Sequence, residues 1–215
     1  MAEQGPTVLG LNVHVGVGLV NILAVAGIVM TSIILNTFLN AQLVFLLTNA
    51  DYFGVPQTSL GQVTGMLNMV GYPGAVVGSI FAGYVFDIFG RRGTITVSLA
   101  VCSVLVATVP WTAPNIWPGL VILKTAIQLM ICVHVTNPLA ADYIQGDALG
   151  RGHALAGIGV VFGEVLCLGV LFKVTAGLDP KAAFACAGTG GLLLTLILFF
   201  MIKEPDTKGT KSVNG

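Results

Sequence analysis

Six long apolar stretches divide the chain, and short segments rich in glycine, proline and charged residues separate them. A helix needs about 20 apolar residues to cross a bilayer, and each stretch approaches or exceeds that length. The predicted spans are roughly 17–50, 60–86, 94–109, 117–140, 153–176 and 182–202. Residues 1–16 are expected to form a cytoplasmic lead, flexible or interfacial, and residues 203–215 a cytoplasmic polar tail. The pattern predicts an all-α membrane protein with six transmembrane helices.

The first stretch is long enough to raise a second possibility, because no charged residue occurs between Glu3 and Asp51. Two spans there would give seven helices and would place the basic residues near position 91 opposite those after position 202. With six spans, one side of the membrane carries six of the nine basic residues: Arg91, Arg92, Arg151, Lys203, Lys208 and Lys211. The positive-inside rule favours that arrangement and predicts that both termini are cytoplasmic.

The composition supports a membrane protein and gives no indication of catalysis. Hydrophobic residues make up 55% of the chain and charged residues only 8%, against about 25% charged residues in soluble domains. The zero net charge gives no sign of a nucleic-acid partner. No paired acids, Ser-His-Asp set or Cys-His set is visible, so we predict no enzyme, no cofactor and no metal site. All four cysteines fall inside apolar stretches, where a free cysteine packs as a small hydrophobic residue.

Residues 83–92 follow the second span directly and read Gly-Tyr-Val-Phe-Asp-Ile-Phe-Gly-Arg-Arg. An acid and two arginines do not lie in lipid, so this segment predicts a turn at the membrane surface, and Gly90 permits a tight reversal. The segment resembles the loop between the second and third helices of the major facilitator superfamily. The residues that match this loop motif are Gly83, Asp87, Gly90, Arg91 and Arg92.

Residues 141–152 resemble the turn of the same superfamily between the fourth and fifth helices, in which an acid precedes an Arg-Gly pair. Here Asp142 supplies the acid, and Arg151 supplies the arginine. The resemblance implies that one of the three charged residues of the first motif pairs with Asp142, and that the two turns together latch one conformation. Under the alternative interpretation, Asp142 and Asp147 are solvated loop charges.

The resemblance extends along the whole chain but to only half of the family fold. Complete members have twelve spans in two six-helix halves, each a 3+3 repeat, and the order of motifs here matches the amino-terminal half. The implied function is movement of a small solute by alternating access. The chain is then expected to be a fragment, a half that pairs with another copy or a separate second half, or a remnant that no longer transports. The expected partners are a small-molecule solute, membrane lipid and such a second half or copy.

A different class of function is also compatible with the sequence. A non-transporting membrane scaffold or assembly subunit could retain the half fold without a water-filled cavity.

Polar residues inside the spans are the candidates for a solute path. Lys124 is predicted about 10 Å below the outer end of the fourth span, and Glu164 about 16 Å above the inner end of the fifth. Their depths agree, so we expect them to face one interior space and to pair, either at a cavity or as a structural ion pair. Snorkelling of Lys124 to the outer interface is the remaining alternative. Gln128 lies one turn from Lys124 on the same face, which favours the cavity.

A second set of polar residues follows the first span. Ser32, Asn36 and Asn40 recur at four-residue spacing and form one stripe, which either lines a solute path or bonds neighbouring helices. Spans three and six contain no charged or amide residue. This agrees with the family resemblance, which implies that the first and fourth helices line the cavity.

Overall fold

The structure is a computed structural model, and it describes residues 6–135 and 138–205. Six apolar helical segments are long enough to cross a membrane: Leu19–Thr48, Gln57–Phe89, Arg91–Thr112, Ile116–Tyr143, Gly146–Thr175 and Pro180–Met201. We call them the first to the sixth span. The predicted fold class, an all-α bundle of six spans, is confirmed.

Three of the six spans are single helices and three are interrupted. The helices are α1 (Leu19–Thr48), α2 (Gln57–Phe89), α3 (Arg91–Thr108), α4 (Val121–Val135), α5 (Leu139–Tyr143), α6 (Leu149–Leu166), α7 (Phe172–Thr175) and α8 (Pro180–Met201). Tight 3-10 turns cover Val109–Thr112 and Gly146–Ala148, and a wider π turn covers Cys167–Leu171. The segment Ile116–Leu120 is kinked at Trp117, whose backbone is extended. The second span exceeds its predicted length of 60–86 at both ends, because α2 continues without a break between its flanking residues Pro56 and Gly90.

The spans pack in three pairs: the first against the fifth, the second against the fourth, and the third against the sixth. Each pair joins one of the first three spans to one of the last three. A closely spaced pair of buried glycines lies in each contact: Gly74 and Gly78, Gly159 and Gly163, and Gly188 and Gly191. A Cβ added to Gly74, for example, would lie 3.0 Å from the Thr125 carbonyl oxygen. Small residues therefore set which helices approach closely.

The lead contains a small β-hairpin that the sequence analysis did not predict. Strands β1 (Thr7–Val8) and β2 (Leu11–Asn12) pair in antiparallel register. Leu9 and Gly10 connect them with φ values of 51° and 74°, as a two-residue hairpin turn requires. Val13 is fully buried and forms a bridge with Ile144, beyond the end of the fourth span. The predicted positions of Lys208, Lys211 and both chain termini lie outside the described residues.

Candidate functional site

Arg91 lies at the centre of an ion cluster where the second, third and fourth spans end. Its Nε donates a hydrogen bond to Asp142 Oδ2 and its Nη1 donates to Asp87 Oδ1, both at 3.1 Å. The side chains of Arg91 and Asp142 are 19% and 24% exposed, whereas that of Asp87 is 75% exposed. The contact with Asp142 is therefore the shielded one, and it ties the turn before the third span to the end of the fourth. We call this end of the bundle the charged end.

Glu204 closes the turn before the third span. Its two carboxylate oxygens accept hydrogen bonds from the backbone N–H groups of Arg91, at 2.6 Å, and Arg92, at 2.8 Å. These are first-turn N–H groups of α3, which have no partner within the helix and carry its positive dipole end. Gly90 adopts a φ of 77°, and a Cβ there would lie 2.7 Å from Glu204 Oε1. The absence of a side chain at Gly90 therefore allows the chain to reverse direction and also leaves room for the Glu204 carboxylate.

The other predicted motif residues lie nearby but do not join the ion cluster. The guanidinium of Arg92 lies 3.8 Å from the ring centre of Phe199 on the sixth span, a cation–π contact. Arg151 donates to the carbonyl oxygen of Gly10 at 2.7 Å. Gly83 lines a hollow of about 210 Å³ beside the cluster, and a Cβ added to it would meet no atom within 4 Å. The latch role of all seven motif residues stays a prediction.

The second strand of the hairpin and the segment that follows it cross the charged end. Asn12 donates to Asp147 Oδ2 at 2.7 Å, and the His14 N–H donates to the Tyr143 carbonyl at 2.9 Å. The Lys203 ammonium donates to the Gly16 carbonyl at 2.9 Å. The lead thus connects the turn between the fourth and fifth spans to the end of the sixth. Asp147 accepts this bond and is still exposed, so the interpretation of Asp147 as a solvated loop charge stays open.

A second polar cluster lies inside the membrane, between the first, second and fourth spans. Lys124 is only 4% exposed, and its ammonium donates to Asn40 Oδ1 at 2.5 Å. The Asn40 amide in turn donates to Asn36 Oδ1 at 3.1 Å. The stem of Gln128 packs against Gly71 of the second span. The structure therefore brings together four of the five predicted cavity residues, and we call them the Lys124 cluster.

The polar stripe of the first span divides into two parts. Ser32 is buried, and its hydroxyl shares a hydrogen bond of 3.0 Å with His134 Nε2 of the fourth span. Asn36 is half-exposed and Asn40 is exposed. Ser32 thus bonds the first span to the fourth. Asn40 does so as well through Lys124, but it is also exposed, so both alternatives stay open for the asparagines.

The expected pair between Lys124 and Glu164 is not formed. The two ion pairs within residues 6–135 and 138–205 both belong to Arg91, and Glu164 is exposed. The expectation assumed that consecutive spans four and five pack together, whereas the fifth span packs on the first. Gly163, the neighbour of Glu164, faces Ile33 of the first span, seven residues from Asn40. Gly163 and Lys124 therefore meet the first span at levels about 10 Å apart.

Two further features lie away from the polar clusters. An apolar groove of about 500 Å³ between the second, third and fourth spans suits lipid chains better than a polar solute. At the end opposite the charged end, Tyr52 donates to the Asp179 carboxylate at 3.0 Å. Partial burial and this carboxylate raise the pKa of Tyr52 above its usual value.

Comparisons with known proteins agree with this architecture. The sequence model described as Major Facilitator Superfamily matches residues 9–215. Among solved structures, the fold is similar to the MFS proton:xylose symporter XylE bound to 6-bromo-6-deoxy-D-glucose, with a TM-score of 0.63 and 17% sequence identity. The match covers 86% of this chain and 45% of the symporter chain, so this chain spans less than half of that protein's length. No curated protein matches the chain.

Proposed function

The chain belongs to the major facilitator superfamily, and from that premise we propose that this integral, multi-pass membrane protein is a transporter domain that moves a small solute by alternating access. The observation that carries the proposal is the depth of the Lys124 cluster. Asn40 lies eight residues before the end of α1, about 12 Å from that end in a hydrocarbon layer about 30 Å thick. Solute sites of such transporters lie near the midplane, where alternating access exposes them to each side in turn.

In this proposal the charged end latches one conformation. Arg91 bridges a turn between two of the first three spans and the end of a span from the last three. A relative movement of those spans must stretch or break the contact between Arg91 and Asp142. The cluster can therefore hold one state and release it, at a cost of the few kcal/mol that separate such states.

We further propose that the bundle works against a second six-helix half, in the same protein or in another, or against another copy. The exposure of the second and fifth spans supports this. In an apolar 18-residue stretch of each span, only 28% of the second span and 17% of the fifth are buried, whereas 50% is buried in the first and in the third. Gly83 lies on the exposed side of the second span, where nothing in the described chain accounts for a glycine. Glu164 also lies on an exposed face, so it remains a cavity candidate in the assembled form.

Cysteine labelling tests the proposal without knowledge of the solute. In a variant without the four native cysteines, Asn36→Cys and Asn40→Cys should react with a membrane-impermeant thiol reagent from each side of sealed vesicles. A thiol reacts as its thiolate, which forms in water and not in lipid. Leu193→Cys on the exposed face of the sixth span is the matched control and should not react.

Labelling from neither side would contradict a water-filled path and would favour the scaffold alternative. Labelling from one side only, in every condition, would contradict alternating access.

The latch is tested by Asp87→Asn. Because the Asp87 carboxylate is largely exposed, its loss should leave the amount of folded protein near normal. It should nevertheless change the ratio of labelling from the two sides at Asn40→Cys, and should reduce transport in an active assembly. Asp51→Asn, in an exposed turn at the other end, is the control. Loss of folded protein with an unchanged labelling ratio would show that the turn between the second and third spans has a structural role only.

Both termini are proposed to be cytoplasmic, because the charged end carries Arg91, Arg92, Arg151 and Lys203. Epitope tags at Met1 and Gly215 should resist an external protease in intact cells. Cleavage of one tag alone would contradict an even number of spans.

A further inference from the structure

We infer that the Lys124 cluster binds a carboxylate group of a small organic anion. The inference rests on the proposed transport function and names the chemical class of its solute. It follows from three properties of the cluster: a buried cation that the described chain does not neutralise, an excess of hydrogen-bond donors, and an exposed approach through Asn40.

The ammonium of Lys124 lacks a counter-ion within the described residues. It takes part in neither ion pair, and its one hydrogen bond there goes to the neutral amide of Asn40. An ammonium carries three donors, so two remain available. A buried charge without a partner is strongly unfavourable in the low dielectric of a membrane protein. An anion that binds beside Lys124 would remove this cost.

The acids of the described chain are engaged or placed elsewhere. Asp87 and Asp142 contact Arg91, and Glu204 binds the first N–H groups of α3 at the charged end. Asp179 accepts from Tyr52 at the opposite end. Glu164 is exposed, and its neighbour Gly163 meets the first span about 10 Å from the level of Asn40. The two remaining acids are Asp51, which lies in the exposed turn after the first span, and Asp147, which accepts from Asn12. None of the seven forms an ion pair with Lys124, so a solute anion can act as its counter-ion.

The amides around Lys124 add donors. Since an ammonium can only donate, the Asn40 oxygen must face Lys124, and the Asn40 NH₂ then donates to the Asn36 oxygen. This chain of bonds leaves the NH₂ group of Asn36 at its free end. A surface that offers one cation and amide donors matches an ionised carboxylate, which only accepts hydrogen bonds.

The cluster is open to a ligand on one side. Asn40 is exposed and Asn36 and Gln128 are half-exposed, while the ammonium lies just beneath Asn40. A carboxylate that reaches Asn40 can therefore contact Lys124 after a small rotation of the amide. A neutral polyol could bond to the asparagines but would leave the ammonium charge uncompensated.

Thermal unfolding of the purified full chain in detergent, in low-chloride buffer, tests the inference. The probes are acetate, pyruvate and succinate, each paired with its neutral amide, together with xylose. At ten times its dissociation constant, a bound carboxylate should raise the Tm by about 3–5 °C. The amides and xylose should leave it unchanged. Lys124→Gln should weaken carboxylate binding at least tenfold, and Lys124→Arg should retain it. The matched control is Lys173→Gln, an exposed lysine near the outer end of the fifth span, which should bind as the wild type does.

Three results would overturn the inference: no shift with any carboxylate, equal shifts with the amides or with xylose, or undiminished carboxylate binding by Lys124→Gln. The cysteine-labelling experiment tests the transport proposal separately from the carboxylate inference. Two-sided labelling at Asn40→Cys without carboxylate binding would leave a transporter of another solute class. Carboxylate binding with one-sided labelling would leave an anion site on a protein that does not transport.

Discussion

The charged end and the Lys124 cluster differ in whether their charged side chains have counter-ions in the described chain. At the charged end, Arg91 lies between two carboxylates, and the Glu204 carboxylate accepts two backbone hydrogen bonds. Inside the membrane, Lys124 has one neutral partner in the described chain. Desolvation costs more in the interior, yet compensation is poorer there. The contrast supports the two proposals made above, that the charged end stabilises a conformation and that the interior charge binds a solute.

The two clusters also differ in the number of elements that they connect. The charged end joins the second, third, fourth and sixth spans and the amino-terminal lead. The Lys124 cluster bonds only the first span to the fourth. The charged end thus adds polar contacts to the packing that already joins the three pairs, chiefly between the third and fourth spans and between the first and sixth. Loss of the shielded contact with Asp142 should alter stability and conformation together, whereas loss of the exposed Asp87 carboxylate should alter conformation with little change in stability.

The largest expected effect at the charged end is that of Gly90→Ala. The native φ of 77° and ψ of 167° are unfavourable for alanine, and the added Cβ would collide with Glu204. We expect the free energy of unfolding to fall by about 3 kcal/mol, from backbone strain and weakened bonds to the N–H groups of α3. Equilibrium unfolding in mixed micelles with increasing dodecyl sulfate measures it.

Gly93→Ala is the matched control for that prediction. Gly93 lies in the first turn of α3, and an added Cβ would meet no atom within 4 Å. Helix propensity should make this variant equal to the wild type or more stable, by up to about 1 kcal/mol. Equal losses at the two positions would show that Gly90 has no special role in closing the turn.

Sequence patterns predicted the parts of this molecule that depend on local chemistry. The length of each apolar stretch and the breakers between them defined all six spans, and the acid and arginines of residues 83–92 predicted a surface turn at Gly90. The family resemblance went further, because it implied a contact between that turn and Asp142 that the structure contains.

The features that the sequence did not reveal depend on which distant segments meet. Glu204 was not singled out because its partners are backbone N–H groups more than 110 residues away, which leave no side-chain pattern. The hairpin was missed because its strands have two residues each and Leu9 gives no signal for a positive φ. The pair of Lys124 with Glu164 was wrong because small residues such as Gly163, not chain order, determine which spans touch.

A smaller effect is expected when the contact between Arg91 and Asp142 is removed. Arg91→Gln should lower the free energy of unfolding by about 2 kcal/mol, because Asp142 is largely shielded and loses its counter-ion. In a double-mutant cycle with Asp142→Asn, the two losses should couple by about 1 kcal/mol or more. The pair of Arg91 with the exposed Asp87 should couple by less than about 0.5 kcal/mol. Equal coupling in the two cycles would contradict the distinction between a shielded and an exposed contact.

The smallest effect, and the one of opposite sign, is expected at Lys124. Lys124→Met removes a buried charge while it keeps the length and apolar stem of the side chain. The loss of one hydrogen bond to Asn40, worth about 1 kcal/mol, is offset because the charge no longer has to be desolvated. The free energy of unfolding without ligand should therefore stay the same or rise by up to about 1 kcal/mol, and stabilisation by carboxylates should disappear. Adding Glu164→Gln should simply add its own effect, because the two side chains do not pair. If Lys124→Met instead lowered stability as much as Arg91→Gln, the chain itself would compensate the lysine charge, and the contrast between the two clusters would no longer hold.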